Sequence, residues 1–148
     1  MRATRLRSLR GSILVDGAGI KEQLIIDDGR INHGLKILSF QVWAKTSENN
    51  MGIDAHLALA KKPNHVDILD AGDNRQIAWC SGGYDNGIIT MTYRSIIDPD
   101  HVVNRDLFIN ADASDGLWSY LIVCEEYDLS DDEAIVQIVK ETSQNTTP

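Results

Sequence analysis

The residues of this chain that could do chemistry are four histidines, two cysteines and several pairs of acids. His33, His56, His65 and His101 lie too far apart for an H-x-H or HExxH pair, the spacings that set two imidazoles on one metal. His101 stands beside Asp98 and Asp100, the one histidine–carboxylate cluster, and a metal-dependent enzyme would be centred there. The same residues also suit a polar turn around Pro99. Cys80 and Cys124 fall in apolar runs away from any histidine and read as buried thiols; a bridge between them is neither demanded nor excluded. Asp112 with Asp115, and Asp70 with Asp73, offer oxygen ligands of the kind calcium takes, without the spacing of an EF-hand. Glu125 and Glu126 are adjacent, so on a strand they point to opposite faces and cannot act as a glycosidase pair. There is no G-x-S-x-G elbow and no phosphate-cradling glycine loop. The expectation is a protein without catalytic residues, metal ligands or cofactor.

Charge is more informative. The 148 residues hold 14 Lys and Arg against 22 Asp and Glu, a formal charge of −8. The excess acid sits in the last third, where residues 97–148 carry twelve acids and two basic residues. The first ten residues carry Arg2, Arg5, Arg7 and Arg10 and no acid. A basic arm on an acidic body suggests a docked arm. Its acidic counterpart is expected at Glu125, Glu126, Asp128, Asp131 and Asp132, on an adjacent copy of the chain. Nucleic acid is the other candidate partner, although four arginines neutralise few phosphates. The longest apolar run, Leu121 to Cys124, is far too short for a spanning helix, so no membrane insertion is expected.

The elements that must position these groups are strands. Leu38, Phe40, Val42 and Ala44 alternate with polar residues, as do Ile53, Ala55, Leu57 and Leu59, and Leu107, Ile109 and Ala111. Leu117 to Tyr127 is long, aromatic and β-branched. Shorter runs are 12–16, 23–27, 76–80 and 88–94. Turn residues separate them: Asp28-Gly29, Ser81-Gly82-Gly83, Asp85-Asn86-Gly87, Asp98-Pro99 and Asp115-Gly116. Residues 61–74 read as an irregular loop. Ser130-Asp131-Asp132-Glu133 is a capping box that should start one helix over 131–142. The fold expected is all-β: a single β-sandwich of about eight strands over 12–129, an arm over 1–11, and a helix with a polar tail over 130–148.

A sandwich buries one face per sheet, yet Leu117–Tyr127 is apolar on both, and Trp43 faces away from the Phe40 side. The surplus points to a second copy. Trp43, Trp118, Tyr120, Ile122, Ile135, Ile138 and Val139 are the expected apolar contacts. Arm, β-sandwich and C-terminal appendage together resemble, in layout, the small viral structural proteins of the single jelly-roll kind. That resemblance implies a self-assembling capsid or capsid-associated subunit located in a virion. The alternative is a lectin-like binding module, monomeric or of low oligomeric state, using the loops at 61–74 and 81–87.

Overall fold

Period-two alternation builds strands along nearly the whole chain, and the hydrogen-bonding needs of those strands arrange them into two sheets. The structure, a computed structural model, describes residues 1–15, 20–26, 32–45, 51–59, 69–73, 75–85, 88–104 and 106–136. The strands are β1 (Arg2–Val15), β2 (Ile20–Ile26), β3 (His33–Ala44), β4 (Met51–Ala58), β5 (Gln76–Asp85), β6 (Ile88–Ile97), β7 (Leu107–Ala113) and β8 (Gly116–Asp128). A short helix, α1, covers residues 131–136. Among the described residues, one sheet has three strands in the order β1-β8-β3, and the other has five in the order β2-β7-β4-β5-β6. Every pairing is antiparallel. β1 pairs with β8, β2 with β7 and β4 with β5, so the pairings are nested along the chain. β3 packs across the core on β5 and β6, and the Ser95 hydroxyl on β6 donates to the Phe40 carbonyl on β3.

The core lies between the sheets. Ile13, Phe40, Val42, Trp118 and Ile122 of the three-stranded sheet meet Ile53, Leu57, Ile77, Leu107 and Ile109 of the other, all essentially without solvent contact. At about 1.5–3 kcal/mol for each large side chain buried, this face supplies most of the drive to fold. Leu35 bridges to Val103 through two 2.7 Å backbone hydrogen bonds, fastening the outer edge of β3 to the segment before β7.

Three expectations are corrected. Residues 1–11 form no separate arm: Arg2–Val15 is one continuous strand of the sandwich, because β8 offers an open edge along its full length. Leu38 does not share the buried face of Phe40. A bulge between Ile37 and Ser39 shifts the alternation, so Ile37 is buried and Leu38 exposed. Ser81-Gly82-Gly83 is not a loop either, since β5 runs through it to Asp85. A Cβ on Gly83 would lie 2.7 Å from the Met51 carbonyl oxygen, so the glycine serves the close approach of β4 and β5, and on its other side the register with β6 shifts.

The capping box forms as read: Glu133 N donates to Ser130 Oγ and Ser130 N to Glu133 Oε1, both at 3.2 Å. Asp115-Gly116 turns the chain into β8 with Gly116 at φ +138°, a conformation that favours glycine. Asp28-Gly29, Asn86-Gly87, most of 61–74 and the expected helix beyond 136 lie outside the described residues.

Candidate interaction surface

The basic segment and the acidic segment do meet, within one chain. β1 and β8 align Arg5 with Glu126 and Arg2 with Asp128. Arg5 Nε donates to Glu126 Oε2 at 2.6 Å, and Arg7 Nη1 donates to Glu126 Oε1 at 3.0 Å. Arg2 comes within 3.7 Å of Asp128, and the Met1 amino group donates to Glu133 at 2.8 Å. Glu126 is only 3% exposed, on the inward side of β8 at the end of the sandwich. The hydrogen bond from Arg5 holds its carboxyl below the usual carboxylate range, with help from Arg7 and against the upward push of burial.

The register of β1 on β8 brings these residues together within one chain, so their pairing needs no second copy. Glu125 lies on the opposite face of β8, in register with Leu6 and Lys36. Asp131 accepts from the Asn32 side chain at 2.6 Å, and Asp132 is exposed in the first turn of α1. Arg5 and Arg7, though held by Glu126, keep side chains that are 67% and 42% exposed. Among the described residues, Arg10 has no ion-pair partner.

The apolar contacts divide by strand parity. Trp118, Tyr120 and Ile122 point inward, where β1 and β3 present Ile13, Phe40, Val42 and Ala44 in the same registers. They are core, not interface, and that expectation is corrected. A strand apolar on both faces does not itself reveal which face its neighbours bury. Trp43 does face outward, 39% exposed. Around it, the outer face of the three-stranded sheet carries Leu6, Leu14, Leu38 and Leu117, all exposed, with Leu121 and Val123 half-buried among them. Leu6 lies in the expected arm and Leu14 in the expected strand over 12–16; with Ile13 and Val15 facing inward, alternation along the one continuous strand puts both outside. A groove of about 570 Å³ runs beside Trp43, over Ser12 and Ser119, with Arg10 and Leu121 at one end. Of the helix candidates, Ile135 is exposed, while Ile138 and Val139 lie outside the described residues.

The outer face of the five-stranded sheet is different in kind. Its strands align Asp112, Asp54, Ser81 and Arg94 in one cross-strand row, and Asn110, His56, Trp79 and Ile96 in the next. Burial, and then the facing Asp112, push the Asp54 carboxyl above its ordinary value. His56 and Asn110 are fully buried, their side-chain nitrogens 3.2 Å apart. Gln76 Oε1 accepts from Trp79 Nε1 and from the Asp70 amide, at 2.8 and 2.9 Å, tying the 69–73 turn to β5. Beside it lies a cleft of about 340 Å³ between Leu69, Trp79, Arg94 and Ile96.

The other candidates are structural in their surroundings. Asp98 Oδ1 accepts from the Asp100 amide at 3.0 Å in an exposed turn, while His101 is buried. Asp73 is engaged by Arg75 through both carboxylate oxygens, and Asp70 Oδ1 accepts from the Gly72 amide. Cys80 and Cys124 are unpaired thiols in opposite sheets, each raised in pKa by burial and each donating to a backbone carbonyl. Among the described residues, no three His, Cys, Asp or Glu groups gather to hold a metal, and no helix is long and apolar enough to cross a membrane. Comparison with protein-family models, with curated proteins and with solved structures found no match.

Proposed function

We propose that this protein is a non-enzymatic structural subunit, a jelly-roll sandwich that assembles with copies of itself through the outer face of its three-stranded sheet. The exposed apolar set of Leu6, Leu14, Leu38, Trp43 and Leu117 on one sheet face is the observation that carries this reading. Strands of 12–14 residues at about 3.4 Å rise and about 4.8 Å spacing span roughly 600 Å² of face. Two such faces together give about 1,200 Å², the lower limit of a stable specific interface.

The nested pairing of β1 with β8, β2 with β7 and β4 with β5 supports a jelly roll, since that fold is a long hairpin rolled across two sheets. Jelly rolls build viral shells and also lectins. The apolar outer face favours the shell, and a capsid or capsid-associated role in a virion is the setting we propose. Light scattering on the purified protein tests the reading. The wild type should run as a multimer, and W43E together with L117E should return it to monomer with its circular dichroism unchanged. A wild-type monomer at high concentration would sink the proposal.

A further inference from the structure

We propose that residues 2–10 are an exchangeable strand, which in the assembly leaves its own β8 and pairs with β8 of a second copy. The inference rests on the self-assembling reading above and names the link between copies.

The burial pattern marks the segment. Residues 2–8 are all exposed, Leu9 is half-buried, and only Ile13 and Val15 of β1 enter the core. The first half of the strand is held by its backbone ladder and by the ion pairs to Glu126 and Asp128, while the second half is anchored by burial. β1 also lies at the sheet edge, with β8 as its one ladder partner among the described residues. Swinging residues 2–10 outward therefore breaks no other pairing and leaves Ile13 and Val15 in place. Gly11 sits at the division, where a residue without a Cβ lets the chain change direction most freely. Segments of this kind, with little burial and solvent-facing hydrogen bonds, are the first to open in a native protein.

The partner is set by chemistry. β1 carries Arg2, Arg5, Arg7 and Arg10 and no acid, so two β1 edges laid together would oppose like charges. The edge of β8 vacated by residues 2–10 presents Glu126 and Asp128 in the register that accepts them. A second copy brings the same sequence, and so reproduces every contact: Arg5 and Arg7 on Glu126, the Thr4 hydroxyl on the Glu126 carbonyl, and the Cys124 thiol on the Arg7 carbonyl. Because the exchanged contacts are identical, the balance is tipped by concentration and by whatever new surface the copies bury, here the apolar outer face. Reciprocal exchange closes a dimer, and one-way exchange builds a ring or a filament.

Ser8 and Val123 are in register across β1 and β8. Two single variants, S8C in isotope-labelled protein and V123C in unlabelled protein, are refolded together, concentrated and treated with a short bismaleimide. Mass spectrometry then looks for a link between positions 8 and 123, which in this mixture joins different chains. The double variant S8C/V123C, diluted, controls for reactivity by linking within one chain. The expected result is an interchain link in the multimeric fraction. Multimers that lack the link, while the double variant forms it, would overturn the exchange and leave the subunit reading standing. A wild type that stays monomeric overturns the subunit reading itself, and the exchange with it.

Discussion

The two halves of β1 share one strand and one ladder partner, yet different forces hold them. From Leu9 to Val15 the inward residues face the core: Leu9 packs half-buried against it opposite Ile122, while Ile13, opposite Trp118, and Val15 are buried in it. From Arg2 to Ser8 the strand buries no side chain and ends in arginines that reach an acid on β8. Backbone pairing runs through both, so pairing alone does not decide how firmly a strand is fixed. Burial does, because apolar area removed from water contributes more than ion pairs whose cations stay hydrated.

The largest expected effect breaks the buried half. Ile13→Ala removes a side chain that is 1% exposed and leaves a space against Trp118. It should lower the unfolding free energy by about 2–5 kcal/mol in urea titration. Leu6→Ala, at a position 68% exposed on the same strand, should change it by less than about 0.5 kcal/mol. Comparable losses at the two positions would dissolve the distinction between the halves.

Much of this contrast is legible in the sequence, and its limits have physical causes. The run Leu117–Tyr127 announces itself as a strand, and alternation places Trp43 outward. What alternation cannot supply is which face of a doubly apolar strand is buried, because that depends on the neighbours brought beside it by topology. Trp118 and Tyr120 look like surface residues for that reason, and are buried. The arginines of 2–10 look like an arm because charge reads as solvent exposure. They are indeed exposed, and still in a strand, since an edge position needs only one ladder partner. The attraction between the basic and acidic segments was readable from charge counts. Its placement within one chain came from the register of β1 on β8, which no local pattern encodes.

A middle-sized effect sits at the boundary. A Cβ on Gly11 would lie 2.7 Å from the Tyr120 hydroxyl and 3.0–3.1 Å from two ring carbons, so the tyrosine ring lies across the glycine. Gly11→Ala forces that ring aside, an overpacking of about 1–3 kcal/mol, partly offset by about 0.4–1 kcal/mol from a stiffer unfolded chain. A net loss of roughly 0.5–2 kcal/mol is expected from these two terms, with a changed near-ultraviolet circular dichroism from Tyr120. A stabilised variant would mean the ring is free to move, and that the core-anchored half begins after Gly11.

The smallest effect is confined to the first half, and its sign follows from Glu126. Arg5, with Arg7, depresses the carboxyl in the folded state, whereas in the unfolded chain it titrates near an ordinary value of about 4.3. A depressed folded pKa means the contribution is complete above the unfolded value and is lost as pH falls through the folded one. Amides of residues 2–8 that pair with β8 should therefore lose hydrogen-exchange protection several-fold, after correction for intrinsic rates, between pH 6 and about pH 3. Amides near Ile13 and Val15 should not follow, because burial rather than charge holds them. Glu133, also depressed, chiefly by the Met1 amino group, shares the same pH window. Glu126→Gln separates the two: it should show low protection at both pH values and no step between them. A step that survives the substitution would assign the acid sensitivity to the Met1–Glu133 pair, and would place the electrostatic hold on β1 at its first residue instead of at Arg5 and Arg7.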